Sequence, residues 1–194
     1  ILPPATLGML GGGQLGRFFV AAAHEMGYRV LVLDPDKHSP AGQLADEHLV
    51  ADYSDQDALN RMAEACAAVT TEFENVPADT LAYLSKFVPV RPHAEAVAIC
   101  QNRSAEKGFL RQNRFPHAPY ADITSEAELV QAPITLFPGI LKVARFGYDG
   151  KGQARVLNRE EALVAFQQTK GAHCVLAAMR PLDYELSVVL ARDE

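Results

Sequence analysis

The chain has 194 residues, enough for one large domain or two small ones, and its 48% hydrophobic and 22% charged content is ordinary for a globular protein. A net charge of −6 without any basic block argues against a nucleic-acid-binding surface. No apolar run approaches the roughly 20 residues of a membrane span, and the first residues lack the basic region of a signal peptide. Three widely spaced cysteines without a C-x-x-C pair indicate reduced thiols, so we expect a cytoplasmic protein.

The first half of the chain alternates strands and helices. An apolar strand at 5–10 precedes a glycine turn, a helix at 18–26 and a second apolar strand at 29–33. This order is a βαβ unit, which predicts an α/β fold with a doubly wound, Rossmann-like parallel sheet. The further elements expected in this half are a strand at 49–50, a helix at 55–67, a strand at 68–71, a helix at 78–84, a strand at 88–90 and a helix or helix pair at 93–113.

The second half has a different pattern, and the loop at 116–119 marks the change. Short strands alternate with single helices, which predicts an α+β unit with antiparallel strands around a second glycine-rich loop. We expect domains at 1–100 and 120–180, a helical linker at 101–119, and the start of a further lobe at 181–194. The expected elements are a helix at 125–130, strands at 139–144 and 153–157, a helix at 160–168, and strands at 174–178 and 185–191.

The first glycine turn has the spacing of a dinucleotide-binding fingerprint. Gly11, Gly13 and Gly16 follow the first strand, and Asp34 ends the second. The same turn can bind any phosphate at a helix N-terminus, with Gln14 as a further contact. Glycines that only permit a tight turn and close packing of helix on strand are the competing interpretation.

Residues 71–77, Thr-Glu-Phe-Glu-Asn-Val-Pro, follow another strand of the predicted parallel sheet. Ligands of open α/β sheets bind outside the carboxyl ends of the strands. Two carboxylates beside an amide suit a ligand with hydroxyl groups, such as a ribose. A solvated loop with a capping Asn75 is the alternative, and it is a stronger competitor for Glu74 than for Glu72.

The second glycine-rich loop carries more chemistry than any other segment. Lys142 ends an apolar run, and the loop that follows contains three glycines, a tyrosine and a lysine, namely Gly147, Tyr148, Gly150, Lys151 and Gly152. Because glycines let successive backbone N–H groups converge on an anion, we interpret this loop as a flexible cover over a polyanion.

Two further groups of charges are ambiguous from sequence alone. Arg103 and Lys107 are four apart on a predicted helix and share a face that could grip a triphosphate, although cations on helices are more often solvated. Glu185 follows Tyr184 at the start of the last predicted strand. Its carboxylate could accept both hydroxyls of a ribose or could be an exposed strand charge.

In chain order, these segments resemble the ATP-grasp family, and within it the ligases that carboxylate aminoimidazole ribonucleotide in purine biosynthesis. The resemblance spans nearly the whole chain, and its most specific parts are TEFENVP and GYDGKGQ. The matching segments are residues 8–17, 33–36, 71–77, 101–103 with Lys107, and 147–153. It implies a pre-ATP-grasp domain at 1–100, an ATP-grasp small lobe at 120–180 and the start of the large lobe at 181–194.

The resemblance also implies an activity. Such an enzyme uses ATP, Mg²⁺ and bicarbonate to carboxylate the amine of aminoimidazole ribonucleotide, through carboxyphosphate, and acts as a homodimer. Lys142 and Tyr148 take the catalytic roles. The implied ATP contacts are Arg103, Lys107, Lys142, Gly147, Tyr148, Asp149, Gly150, Lys151, Gly152, Gln153, Ala177, Ala178, Met179, Arg180 and Glu185. The implied ribonucleotide contacts are Gly13, Gln14, Leu15, Glu72 and Asn75.

The chain departs from the family pattern at three points. Asn102 stands where the family commonly has Asp, and Ala177 stands where it has an acidic residue, which removes a side-chain contact near the adenine. The resemblance also puts the Mg²⁺ carboxylates beyond Glu194, so we expect a fragment without turnover and no metal ligands in these residues.

Three other functions compete with this one. A different ATP-grasp carboxylating or formylating ligase is disfavoured by residues 71–77. A dinucleotide-dependent dehydrogenase would explain the first glycine turn but neither Lys142 nor the second loop. A nucleotide-binding module without turnover is the non-enzymatic alternative.

Overall fold

A computed structural model describes residues 1–145 and 152–190. The chain divides into two compact units, Ile1–Glu106 and Lys107–Glu194. Each unit has a four-stranded sheet and its own hydrophobic core. In the part of the chain that is described, no helix is both long and apolar enough to cross a bilayer.

The sheet of the first unit is parallel throughout, with the strand order β3-β2-β1-β4. Helix α1 connects β1 to β2 and α2 connects β3 to β4, whereas residues 34–46 connect β2 to β3 without a described helix. The strands are β1 (Thr6–Leu10), β2 (Arg29–Leu33), β3 (Glu47–Leu49) and β4 (Ala68–Thr71). The helices are α1 (Gln14–Glu25), α2 (Gln56–Ala65), α3 (Ala78–Leu84) and α4 (Ala94–Cys100), and α5 (Arg103–Gln112) contains the boundary between the units.

The alternation of side chains along β2 explains why this sheet is covered on both faces. Val30 and Val32 join the core under α1, while Leu31 and Leu33 point the other way into the core that α2 and α3 cover. Helix α2 begins at a defined cap, because the Asp55 carboxylate accepts from the backbone N–H of Ala58 at 2.9 Å. Because all four strands are parallel, their carboxyl ends lie at the same edge of the sheet.

The second unit has an antiparallel sheet with the order β5-β8-β6-β7. Helices α6 and α7 cover one face, where Leu141 and Leu176 pack with Phe166 and other apolar residues. The strands are β5 (Tyr120–Ile123), β6 (Gly139–Val143), β7 (Gln153–Val156) and β8 (Cys174–Ala178). The helices are α6 (Glu126–Gln131), a single 3₁₀ turn (Ile134–Leu136) and α7 (Arg159–Gln168).

The predicted fold class, a Rossmann-like parallel sheet followed by an α+β unit, is confirmed. Helix α1 begins at Gln14, earlier than predicted, because the glycine turn leads directly into it and Gly13 is its N-cap. Strand β5 was not predicted, since four residues with a central Asp122 give little apolar signal. The strand predicted at 185–191 is wrong over its described part: residues 185–190 are exposed and pair with no described strand, which leaves their backbone groups to water.

Candidate functional site

The first glycine turn is closed by a carboxylate of the protein itself. Glu72, directly after β4, accepts from the backbone N–H groups of Gly13 at 2.5 Å and Leu15 at 3.1 Å. A phosphate bound at the start of α1 would accept hydrogen bonds from these same N–H groups. A Cβ at Gly13 would collide with the Glu72 carboxylate, so glycine here admits the side chain of Glu72. The turn is therefore an internal anion site already filled.

Asp34 closes the same turn from the other side. Its Oδ2 accepts from the backbone N–H of Gly12 at 2.7 Å and from the hydroxyl of Tyr53 at 2.8 Å, and Oδ1 accepts from the N–H of Asp36 at 2.8 Å. Burial of Tyr53, together with its hydrogen bond to the charged Asp34, raises the pKa of the phenol. The carboxylate that would take a ribose in a dinucleotide enzyme is thus committed to the protein, which argues against the dehydrogenase interpretation.

Residues 71–77 lie at the carboxyl end of β4, and the first four of them line a cleft. Gln101, at the end of α4, donates its amide to the backbone carbonyls of Glu74 at 2.7 Å and Val76 at 2.6 Å, which fixes the loop. The Asn75 amide donates to the Glu74 carboxylate at 3.2 Å. Beside the loop lies an open cleft of about 310 Å³, lined by Thr71, Glu72, Phe73, Glu74, Pro92, Ala96, Val97 and Cys100.

The predicted ribonucleotide residues therefore cluster at one edge of the first sheet. Gly13, Gln14 and Leu15 start α1, Glu72 joins them by its hydrogen bonds, and Asn75 lies in the adjoining loop. The side chains of Gln14 and Leu15 are exposed, whereas Glu72 is half-buried. The N–H groups of Gly13 and Leu15 already have a partner, so they are not available for direct contact with a ligand while Glu72 holds this position.

In the second unit, Lys142 lies on the sheet face turned away from α6 and α7. Its register neighbours are Gln153 on β7 and Val175 on β8, which share that face. The adjacent row on the same face contains Arg155, Ile140, Ala177 and Tyr120. The structure thus brings three predicted ATP residues, Lys142, Gln153 and Ala177, onto one surface.

Arg155 is a candidate that the sequence analysis missed. It lies diagonally from Lys142 on the neighbouring strand, and diagonal neighbours in antiparallel pairs are about 7–8 Å apart. Its side chain is exposed. The period of two along β7 could have identified it, because Arg155 must share a face with Gln153.

The other predicted ATP residues after β8 lie in extended, irregular chain. Ala178 ends β8 and donates its N–H to the carbonyl of Pro119 at 2.9 Å, and Met179 donates to Pro138 at 2.9 Å. Arg180 and Glu185 are exposed. These two hydrogen bonds fix the backbone at Ala178 and Met179. Within the described residues, no contact brings Glu185 to Lys142.

Asn102 caps helix α5, on which two predicted ATP cations lie. Its side-chain oxygen accepts from the N–H groups of Ser104 at 2.9 Å and Ala105 at 3.3 Å. Arg103 and Lys107 follow at one-turn spacing along the same helix. Since Asn caps helices about as well as Asp, the departure from the family pattern at this position keeps the helix start intact.

The phosphate loop is only partly described. Gly147, Tyr148, Asp149, Gly150 and Lys151 lie outside the described residues. Gly152, at the end of the loop, has a φ of +68°, and a Cβ there would lie 2.6 Å from a methyl carbon of Val143. Its carbonyl accepts from the N–H of Val143 at 2.8 Å, so the chain enters β7 from a fixed point.

The described residues offer no metal centre. Within 1–145 and 152–190, no group of three or more His, Cys, Asp or Glu side chains lies close enough to hold a metal ion. The described residues alone therefore do not supply a set of magnesium ligands.

Comparison with known proteins gives a consistent result along the whole chain. Residues 4–101 match the ribonucleotide synthetase pre-ATP-grasp domain, and residues 108–194 match the ATP-grasp domain. The N5-carboxyaminoimidazole ribonucleotide synthase of Bacillus subtilis is 38% identical over 193 residues, which are 99% of this chain and 51% of that protein. The chain spans about half the length of the curated relatives it matches.

Solved structures give the same match. The ADP complex of an N5-carboxyaminoimidazole ribonucleotide synthetase superposes with a TM-score of 0.88 at 38% identity, covering 94% of this chain and 49% of that one. The Aspergillus clavatus enzyme in complex with ADP and 5-aminoimidazole ribonucleotide superposes with a TM-score of 0.77 at 30% identity, covering 90% of this chain and 46% of that one.

Proposed function

The chain belongs to the ribonucleotide synthetases of the ATP-grasp family, and from this premise we propose that it supplies the pre-ATP-grasp domain and the first ATP-grasp lobe of an N5-carboxyaminoimidazole ribonucleotide synthetase. The proposed reaction carboxylates 5-aminoimidazole ribonucleotide with bicarbonate and ATP in purine biosynthesis, giving ADP and phosphate. The observation that supports it most directly is the face of the second sheet opposite α6 and α7, where Lys142 and Arg155 lie beside Gln153.

We assign ATP to that face. A triphosphate needs closely placed cations, and Lys142 and Arg155 supply two on adjacent strands. Gln153 begins β7 directly after Gly152, and residues 147–151 are proposed to cover the phosphates. The N–H groups of Ala178 and Met179 are already bonded to Pro119 and Pro138, so adenine contacts at residues 177–180 are proposed from the family resemblance alone. Arg103, Lys107 and Glu185 are proposed ATP contacts from the family resemblance alone.

We assign the ribonucleotide to the carboxyl edge of the first sheet. The cleft offers the Glu74 carboxylate and an apolar wall containing Phe73 and Val97, which fits a ribose and a flat heterocycle. The Asn75 amide adjoins the cleft through its hydrogen bond to Glu74. Gln14 extends from the first turn of α1 toward solvent. Glu72 contributes by holding that turn in shape, because both its oxygens accept from the turn's N–H groups.

The proposed chemistry needs positioning and charge neutralisation. A bicarbonate oxygen attacks the γ-phosphorus, the bond to ADP breaks, and carboxyphosphate forms. The exocyclic amine of the ribonucleotide then attacks the carboxyl carbon, phosphate leaves, and the amine loses a proton. Lys142 and Arg155 would neutralise the phosphate charge that develops in the first step. Tyr148, in the loop, is proposed to reach the reacting groups, and closure of the loop would keep water from the acyl phosphate.

Several attributes of the whole enzyme belong to the proposal as well. Mg²⁺ accompanies ATP in this reaction, although the described residues hold no site for it. A cytoplasmic location agrees with the three unpaired thiols, Cys66, Cys100 and Cys174. We also propose that the protein is a homodimer, as the family resemblance implies.

Calorimetric titration of the chain with ADP, with 5-aminoimidazole ribonucleotide and with NAD⁺ tests the proposal. We expect the first two ligands to bind and NAD⁺ not to bind, because Glu72 and Asp34 fill the glycine turn. Lys142→Met and Arg155→Met should each weaken ADP binding by about tenfold or more, the effect of losing a charge-assisted hydrogen bond.

The control is Lys170→Met, a change of the same kind at an exposed position after α7. It should leave ADP binding unchanged. Equal losses in all three variants would mean that net charge, and not this face, governs affinity. Binding of NAD⁺ in place of ADP would contradict the proposed function and restore the dehydrogenase alternative.

A further inference from the structure

The cleft at the carboxyl end of β4 has two walls that belong to different segments of the chain. Residues 71–74 line the first wall. The second wall is formed by α4 and the chain just before it, namely Pro92, Ala96, Val97 and Cys100. The two segments share a hydrophobic core, to which Val76 and Val97 both belong. The spacing of the walls above that core decides which ligand fits between them.

Backbone hydrogen bonds join the two segments where the chain leads into α4. Val90 forms a parallel bridge with Val69 of β4. The N–H of Arg91 donates to the carbonyl of Val69 at 3.0 Å, and the N–H of Val69 donates to the carbonyl of Pro89 at 2.9 Å. These bonds fix the beginning of the second wall against β4.

The first wall continues into a segment without regular secondary structure. Residues 72–76 form bends and turns between β4 and α3, so no helix or strand pairing fixes their backbone. Glu74 and Asn75, the two side chains in this segment that we assign to the ribonucleotide, are both in the turn. Buried or half-buried backbone groups outside helices and sheets need side chains or water as partners.

The side chain of Gln101 supplies such a partner from the end of α4. Its amide nitrogen donates to the carbonyl of Glu74 at 2.7 Å and to the carbonyl of Val76 at 2.6 Å. An amide NH₂ has two donors, so one side chain can hold both carbonyls. These carbonyls flank Asn75 and thereby fix the direction of the chain on both sides of it. Gln101 is held in turn, because its backbone N–H donates to the carbonyl of Val97 at 2.9 Å.

We propose that Gln101 is a positioning residue for the ribonucleotide, which holds the loop at 74–76 at a fixed distance from α4. Gln101 lies outside the set of residues that line the cleft, so it acts on the ligand through Glu74 and Asn75. A loop that is already ordered binds more tightly, because the ligand does not have to order it. The inference rests on the proposed ribonucleotide site and deepens it by assigning a role to the glutamine of the segment 101–103.

Gln101→Met tests this role, because it keeps the length of the side chain and removes both donors. Calorimetric titration of the chain with 5-aminoimidazole ribonucleotide should show an affinity at least about tenfold lower than that of wild type. ADP, which we assign to the second unit, should bind within about twofold of wild type. Gln112→Met is the matched control, since Gln112 is exposed at the end of α5. It should leave both affinities unchanged.

Amide hydrogen exchange of residues 72–76 measures the same role without any ligand. Exchange in this segment should be faster in Gln101→Met than in wild type, while β1 keeps its protection. Gln101→Lys returns donors to this position, because an ammonium group has three. This variant should bring both the exchange and the ribonucleotide affinity back toward wild type. Attraction between the new charge and the ligand cannot explain restored exchange, since exchange is measured in the absence of ligand.

The outcomes separate this inference from the proposed function. Wild type and Gln101→Met that bind the ribonucleotide equally, or exchange equally at 72–76, overturn the inference alone. Equal losses of ribonucleotide and ADP affinity also overturn it, because they would indicate a general loss of folding. Failure of Gln101→Lys to restore the exchange overturns it as well. A wild-type chain that does not bind the ribonucleotide overturns the proposed function, and this inference with it.

Discussion

The carboxylate of Glu72 lies 2.5 Å from the backbone nitrogen of Gly13, across 59 residues of sequence. Its other oxygen accepts from Leu15, so one side chain satisfies two of the N–H groups that the start of α1 leaves without helical partners. A turn with the spacing of a phosphate site is thus occupied by the protein. Glu72 links the end of β4 to the turn after β1 and so fixes the edge at which we place the ribonucleotide.

Glu72→Gln should lower the free energy of unfolding by about 2 kcal/mol, because an amide has a single acceptor oxygen and would turn its NH₂ toward one of the two N–H groups. Urea denaturation followed by circular dichroism measures the change. Glu74→Gln is the matched control: Glu74 is exposed and its carboxylate accepts from the Asn75 amide at 3.2 Å, so this variant should stay within about 0.5 kcal/mol of wild type. Similar values for the two variants would contradict the linking role of Glu72.

The parts of the fold that local sequence determines were the predictable ones. Strands β1 and β2 are continuous apolar runs beside glycine or aspartate, and they were predicted almost to the residue. The partner of the glycine turn was not predictable, since the pairing of Gly13 with Glu72 depends on how β1 and β4 lie side by side. The same holds for Arg155, whose position beside Lys142 follows from the register of β6 and β7.

The sequence motifs identified the family but did not predict which hydrogen bonds individual residues make. The first glycine turn has the dinucleotide spacing, yet Asp34 and Glu72 occupy it. The segments TEFENVP and GYDGKGQ identified the ATP-grasp relationship, which the comparisons confirm. The contacts assigned to individual residues stay predictions, since a family pattern does not fix which donors are already satisfied within the chain.

Tyr53→Phe should make the stability less sensitive to alkaline pH. Burial, with the hydrogen bond to Asp34, raises the pKa of Tyr53 above its usual value near 10. Above that pH the unfolded chain loses the phenolic proton while the folded chain keeps it, so the free energy of unfolding falls as pH rises. At neutral pH, loss of the hydrogen bond to Asp34 should lower the free energy of unfolding of the variant by about 1 kcal/mol.

The measurement is urea denaturation of both proteins from neutral pH to above pH 10. The difference between wild type and Tyr53→Phe should shrink as the pH rises. Tyr184→Phe serves as the control, since Tyr184 is 75% exposed and should give the wild-type profile. A constant difference between wild type and Tyr53→Phe across this range would show that the raised pKa does not contribute to stability.

Asn102→Asp should keep or slightly increase stability, which tests whether the departure from the family residue matters for the helix. Either side chain can accept from the N–H groups at the start of α5. The negative charge of the aspartate also interacts favourably with the helix dipole, which stabilises the fold by about 0.3–1 kcal/mol. Asn102→Ala should instead lose about 1 kcal/mol. Thermal denaturation of the two variants checks the order, and an Ala variant as stable as Asp would rule out a capping role.

Gly152→Ala should destabilise the second unit and do so through two separable causes. The residue has a φ of +68°, which costs a residue with a Cβ about 1–2 kcal/mol, and the new methyl would also lie 2.6 Å from Val143. Gly171→Ala isolates the first cause, because Gly171 has a φ of +77° but nothing within 4 Å of its Cβ position. Gly108→Ala, inside α5 and equally unobstructed, should instead gain up to about 1 kcal/mol in helix propensity. The melting temperature is therefore expected to be highest for Gly108→Ala and to fall through wild type and Gly171→Ala to Gly152→Ala. Equal melting temperatures for Gly152→Ala and Gly171→Ala would show that the contact with Val143 imposes no constraint. Gly152 would then not be a fixed point at which the chain enters β7.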